Sequence, residues 1–208
     1  KAILHGYLGG EAGAGAILDI LTGKINPSGR LAEAYPLRYE DTPAFRYYPA
    51  SERTSEYREG PFIGYRYYDT KEMEVAYPFG YGLTYAAFSY EKMQIKKERG
   101  CIKVSCFIKN TGERSADEIV QLYVHKKGSR VQRPIRQLVG FERIHDIQPK
   151  ETRKVTFMVQ LWELEYYDVI SERMILEDGT YQFMAGASSQ DIRLEQSIEI
   201  DGTHAGKR

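Results

Sequence analysis

Glu56-Tyr57-Arg58-Glu59-Gly60, followed closely by Gly64-Tyr65-Arg66-Tyr67-Tyr68-Asp69, is the densest polar–aromatic stretch of this chain. Carboxylates and guanidinium groups hydrogen-bond to sugar hydroxyls, and aromatic faces stack on the C–H faces of a pyranose. The stretch therefore predicts a carbohydrate-facing loop. A packing segment between two bodies, with internal Arg–Glu pairs, would use the same residue types and is the default on composition alone. The 17 tyrosines divide in the same way. Tyr47, Tyr48, Tyr65, Tyr67, Tyr68, Tyr77, Tyr81 and Tyr85 crowd into one region, suiting either a sugar surface or ordinary packing by an apolar ring with a wet hydroxyl.

Other chemistries have little local support. Gly10-Glu11-Ala12-Gly13-Ala14-Gly15 is glycine-rich, but its order fits neither the dinucleotide nor the phosphate-loop pattern. Close packing of a helix on a neighbour is the expected use. His5, His125, His145 and His204 are scattered without the spacing of a zinc site. No G-x-S-x-G elbow presents a serine nucleophile. No metal and no cofactor are expected. Cys101 and Cys106, if they share a strand, lie about 16 Å apart on opposite faces. A disulfide needs Cα atoms within about 7 Å, so they cannot pair, and a reducing compartment is expected.

The elements that would carry such a loop differ along the chain. Its 208 residues hold 29 Lys+Arg and 29 Asp+Glu, which argues against a nucleic-acid or membrane-surface binder. The hydrophobic content of 42% and mean hydropathy of −0.51 fit a globular protein with a real core. No apolar run approaches the ~20 residues of a membrane span. Residues 1–35 read as the end of an α/β body. Leu4 and Tyr7-Leu8 suit a short strand, and Ala14, Ile17, Leu18 and Leu21 make one helical stripe. Gly23 suits the left-handed position after the helix, and Lys24 its negative end. Residues 36–88 read as an extended aromatic connection lying on another domain. Residues 89–200 alternate: Ile102, Val104, Cys106, Ile108; Val120, Leu122, Val124; Val155, Phe157, Val159. About seven strands with turns between them predict a mostly β fold, an immunoglobulin/fibronectin type III-like sandwich. Residues 201–208 form a tail.

Several motifs together resemble glycoside hydrolase family three, the β-glucosidase group. Gly10-Glu11-Ala12-Gly13 with Ala16-Ile17-Leu18-Asp19 and Asn26-Pro27-Ser28-Gly29-Arg30-Leu31 is similar to one family signature. Tyr57-Arg58-Glu59-Gly60-Pro61-Phe62-Ile63-Gly64-Tyr65-Arg66-Tyr67-Tyr68-Asp69 and Tyr77-Pro78-Phe79-Gly80-Tyr81-Gly82-Leu83-Thr84-Tyr85 resemble two more. Asn110-Thr111-Gly112, Val120-Gln121-Leu122-Tyr123-Val124, Leu138-Val139-Gly140-Phe141 and Gly179-Thr180-Tyr181 resemble the fibronectin type III-like domain that accompanies them. The resemblance implies a parent with a TIM barrel, an α/β sandwich domain and this β-sandwich, acting on a β-glucoside or oligosaccharide. It implies retaining hydrolysis, with a barrel aspartate as nucleophile and a glutamate of the α/β sandwich domain as acid/base.

Neither of those motifs occurs here. The only Trp, Trp162, stands in Leu161-Trp162-Glu163, and the acid/base position precedes Gly10 in the family. The chain is therefore expected to carry no catalytic residue and, alone, no activity. Glu59 is the candidate for lining an active-site entrance or sugar subsite, with Tyr65 and Arg66 orienting its loop. The barrel and the remainder of the α/β sandwich domain are the implied partners. The start, Lys1-Ala2-Ile3-Leu4-His5-Gly6, has neither an initiator Met nor a signal-peptide pattern, which reads as a piece of something longer in the cytoplasm. The other readings are a stand-alone carbohydrate-binding module and a protein-interaction module.

Overall fold

The computed structural model describes residues 2–49, 53–54, 56–203. Its elements begin with α1 (Gly13–Leu21), β1 (Tyr35–Pro36), α2 (Tyr65–Thr70) and β2 (Val75–Tyr77). The strands β3 (Phe88–Glu98), β4 (Cys101–Asn110), β5 (Ala116–Lys126), β6 (Gln137–Ile147) and β7 (Thr152–Gln160) follow. A short hairpin, β8 (Tyr166–Asp168) and β9 (Arg173–Ile175), precedes β10 (Gly179–Gly186) and β11 (Ile192–Ile200).

The period-two alternation of residues 89–200 decides the larger half. One face of each strand is apolar, so the strands bury that face against a second sheet. A four-stranded sheet runs β11–β10–β5–β6 and a three-stranded sheet β3–β4–β7, each antiparallel throughout. Between them lie Ile102, Val104, Cys106 and Ile108 of β4 and Val120, Leu122 and Val124 of β5. Val155, Phe157 and Val159 of β7 and Tyr181, Phe183 and Ala185 of β10 complete this core. The fold is the expected mostly β sandwich. Cys101 and Cys106 both sit on β4, free and buried, and burial pushes the Cys106 thiol up to about 12.

The helix α1 forms on the expected stripe, and Gly23 takes the left-handed φ of 74° that closes it. Lys24 pairs with Asp19 at 3.0 Å rather than with the last carbonyls. One expectation for this region fails. Residues 2–12 form no strand, because among the described residues no strand lies beside them to pair with. A Cβ added at Gly10, Gly13 or Gly15 would meet nothing within 4 Å, so the neighbour on which this helix is expected to pack is not among the described residues.

The connection carries more regular structure than its sequence suggests. The short helix α2 has under two turns, too few to show a period. The ladder of β1 and β2 ties its two ends together. Tyr65 and Phe79 stack at 4.4 Å and pack with Tyr123, Met184, Leu138 and Ile192 in a second, smaller cluster. Tyr123 and Met184 alternate with the inward residues of β5 and β10, so this cluster covers the outer face of the four-stranded sheet. The tail expected over 201–208 lies outside the described residues from 204 on, and His204 with it.

Candidate functional site

Two polar knots fasten the N-terminal segments to the sandwich. The first is built on Arg30, whose guanidinium donates to the Gly82 carbonyl at 2.7 Å and to Glu118 Oε2 at 2.8 Å. The other carboxylate oxygen of Glu118 accepts from the Tyr90 hydroxyl at 2.8 Å. Arg30 and Glu118 are 7% and 1% exposed at the side chain, so the pair is buried. Burial pushes the Glu118 carboxyl up, and the opposing pull of Arg30, Tyr90 and Arg193 leaves it above its ordinary value. Asn26 adds a hinge-pin, its side-chain oxygen accepting from Tyr85 N and from the Thr84 hydroxyl. Gly82 must be glycine, since a Cβ would overlap the Gly29 carbonyl.

The second knot holds α2. The Tyr65 hydroxyl accepts from Leu138 N at 2.9 Å, and the Thr70 hydroxyl from Ile135 N at 3.2 Å. Asp69 is buried, accepts from Gln190 Nε2 at 2.9 Å, and faces Arg136 at 3.7 Å. Burial pushes its carboxyl above the ordinary value despite those partners. Every tie runs from the connection to a loop or strand of the sandwich, so α2 is held from beneath.

Held in this way, α2 forms one wall of an open cleft of about 510 Å³. Tyr67, Thr70 and Lys71 line that wall, Pro43, Tyr47, Arg58, Glu59 and Phe62 the loop side, and Gln132 and Arg133 the sandwich side. The volume falls within the range of small-molecule sites. Aromatic rings, guanidinium groups and a carboxylate around one hollow can stack on a pyranose and hydrogen-bond its hydroxyls. The Arg58 guanidinium lies 4.8 Å from the Tyr47 ring centre and pairs with Glu56.

Of the three residues singled out in the sequence, Glu59 lines this cleft and the other two do not. Tyr65 is buried in the second cluster, and Arg66 stands beside it, its guanidinium 5.9 Å from the Tyr65 ring centre. Both stand on α2, which the Tyr65 hydroxyl ties to Leu138. The sequence reading missed Arg133, Gln132 and Lys71. The first two come from the loop between β5 and β6 and reach the cleft only through the fold.

Glycoside hydrolysis with retention needs two carboxyl groups about 5 Å apart, one free to attack and one to give a proton. Among the described residues, Glu59 is the only carboxylate lining the cleft. A smaller hollow of about 240 Å³ holds Glu118 and Asp191, but Glu118 is engaged by Arg30 and Tyr90, and Asp191 by Arg193. Among the described residues, no group of three or more His, Cys, Asp and Glu is placed to hold a metal.

Comparison with known proteins agrees with the motifs. Residues 1–85 match the Glycosyl hydrolase family 3 C-terminal domain, and residues 118–189 the Fibronectin type III-like domain. The chain is 40% identical over 207 residues to thermostable beta-glucosidase B of Acetivibrio thermocellus, covering 98% of this chain and 27% of that protein. It is 34% identical over 203 residues to an exo-alpha-(1->6)-L-arabinopyranosidase of Bifidobacterium breve, covering 97% of this chain and 27% of that protein. The GH3 beta-glucosidase structure of Bifidobacterium adolescentis superposes with a TM-score of 0.89 at 34% identity, over 93% of this chain and 29% of that one. Beta-glucosidase 3B of Thermotoga neapolitana, in complex with glucose, gives 0.86 at 30% identity, over 92% and 27%. The chain thus spans about a quarter of the length of the curated relatives it matches.

Proposed function

Because this chain belongs to glycosyl hydrolase family 3, with its accompanying fibronectin type III-like domain, we propose that it is the accessory part of a β-glucosidase-type enzyme. It braces the catalytic bodies and supplies a substrate-side cleft, and it carries neither catalytic carboxylate. The observation that carries this reading is α1. Its apolar stripe is bare, with Ile17, Leu18 and Leu21 exposed at 39%, 59% and 64%, while Arg30 and Asn26 lock the segment that follows it to the sandwich. A helix with an open stripe at the end of a locked segment is one piece of a larger helix–sheet layer, the rest of which is the α/β sandwich domain, itself against a TIM barrel.

On this reading residues 1–35 belong to that layer, 36–88 are the connection and 89–200 the sandwich. Glu59 meets the sugar, and Tyr65 and Arg66 hold its loop. The substrate is a β-glucoside or oligosaccharide. The relatives include both beta-glucosidases and an exo-alpha-(1->6)-L-arabinopyranosidase. Two free buried thiols suit a reducing compartment such as the cytoplasm.

The test is an aryl β-glucoside assay on the 208-residue chain, alone and mixed with a related β-glucosidase from which the matching quarter has been deleted. The expected result is no release by the chain alone and recovered release in the mixture. Turnover by the chain alone, abolished by Glu59→Gln, would overturn the reading.

A further inference from the structure

The cleft beside α2 has a side-chain amide in Gln132, which is exposed and makes no hydrogen bond among the described residues. An amide both donates and accepts, so it matches a sugar hydroxyl in either role. Gln132 stands in residues 127–136, which join β5 to β6 without regular structure of their own. Hairpin connections usually have about two to five residues. A longer one has more freedom to lose and needs fixed points to keep one shape.

Glu177, between β9 and β10, supplies those points. It is 5% exposed and does not line the cleft. Its Oε2 accepts from the Ser129 hydroxyl at 2.6 Å and its Oε1 from Arg130 N at 2.8 Å. The Arg133 guanidinium stands 3.0 Å from Oε2 as an ion pair without hydrogen-bond alignment, and donates to the Leu164 carbonyl at 3.0 Å. Attachments at 129, 130 and 133 thus bracket Gln132. The Tyr181 hydroxyl donates to the Glu177 carbonyl at 2.9 Å, which ties the carboxylate's own backbone to the core. Burial pushes the Glu177 carboxyl up, but Ser129, Arg130 N, Arg133 and Lys126 together outweigh it and hold it below its ordinary value. We propose that Gln132 reads a sugar hydroxyl at this cleft and that Glu177 is the positioning residue that presents it, by fixing residues 129–133. This rests on the reading of the cleft as a sugar site and names a polar contact there. Glu177 touches no sugar itself and acts through the loop.

The experiment is an NMR and calorimetric titration of the 208-residue chain with cellobiose, run as a double-mutant cycle. The parent should show shifted Gln132 side-chain amide signals. Gln132→Ala should weaken binding roughly fivefold, the worth of one neutral hydrogen bond. Glu177→Gln removes the charge that Arg133 and Lys126 face; it should weaken binding by a similar factor and shrink the Gln132 shift. In the Gln132→Ala background it should cost nothing further, because the two residues act as one unit. Ser129→Ala is the milder variant should Glu177→Gln fail to fold. It should weaken binding, and Ser129→Thr, which keeps the hydroxyl, should restore it. Losses that multiply in the double variant, unchanged binding in either single variant, or equal binding by Ser129→Ala and Ser129→Thr would each overturn the assignment and leave the sugar site standing. Absence of shifts in every cleft residue of the parent removes both.

Discussion

Glu118 occupies a position where most strands place an apolar side chain, and it stays there only because its two oxygens meet Arg30 and Tyr90. Breaking a buried pair from one side leaves the other charge stranded. Arg30→Ala is therefore expected to cost about 3–5 kcal/mol at neutral pH in a denaturant melt. The direction of the pH dependence follows from the carboxyl. Burial already pushes Glu118 up, and removing Arg30 removes the main opposing pull. A carboxyl whose folded value lies above its unfolded value binds more protons when folded, so its contribution is fullest below the unfolded value and is lost as pH rises through the folded one. The Arg30→Ala deficit should accordingly shrink on acidification into the carboxylate range; a deficit independent of pH would refute this role for Glu118. Arg30 was visible in the sequence as part of Asn26-Pro27-Ser28-Gly29-Arg30-Leu31. Glu118 was not singled out, although stepping back two residues from inward Val120 points it into the core. Polarity hid what parity would have indicated.

Gly80 shows at the level of elements how the connection is held down on the sheet. Its φ is 78°, and a Cβ there would overlap the Gln121 amide. That amide donates to the Gly80 carbonyl at 3.0 Å and the Ala187 carbonyl at 2.7 Å, and accepts from the Tyr123 hydroxyl at 2.6 Å. Gly80→Ala forces a left-handed alanine and displaces a buried amide from its partners. A loss of roughly 1–3 kcal/mol is expected from the displaced hydrogen bonds alone, read as a lowered denaturation midpoint. A midpoint unchanged from the parent would show that the turn is not clamped. The strands of the sandwich were readable because alternation repeats in β4, β5 and β7, strands of nine to eleven residues. The helix α2 was not, because Tyr65–Thr70 forms through tertiary ties from Tyr65, Asp69 and Thr70 rather than through a period of its own.

Across the whole molecule the chain has a firm part and a bare part. Backbone amides of β4, β5, β7 and β10 lie in ladders over a closed core, whereas α1 has no buried residue and meets the remainder through a few bonds, such as Tyr85 Oη to the Ile20 carbonyl. Hydrogen exchange of the isolated chain is expected to protect those strands to the global unfolding limit and leave residues 13–21 exchanging far faster. Equal protection of α1 would mean that this segment needs no further layer, contrary to the proposed function. The motifs and the two-residue alternation, both local properties of the chain, were enough to indicate the family and the sandwich, but the short β8–β9 hairpin lies beyond the seven or so strands they predict. Which residues gather at the cleft, and that Tyr65 is buried while Glu59 lines it, depends on chain segments some seventy residues apart meeting, as Tyr65 does Leu138. No local pattern encodes that meeting, since it is set by how the outer face of one sheet is covered.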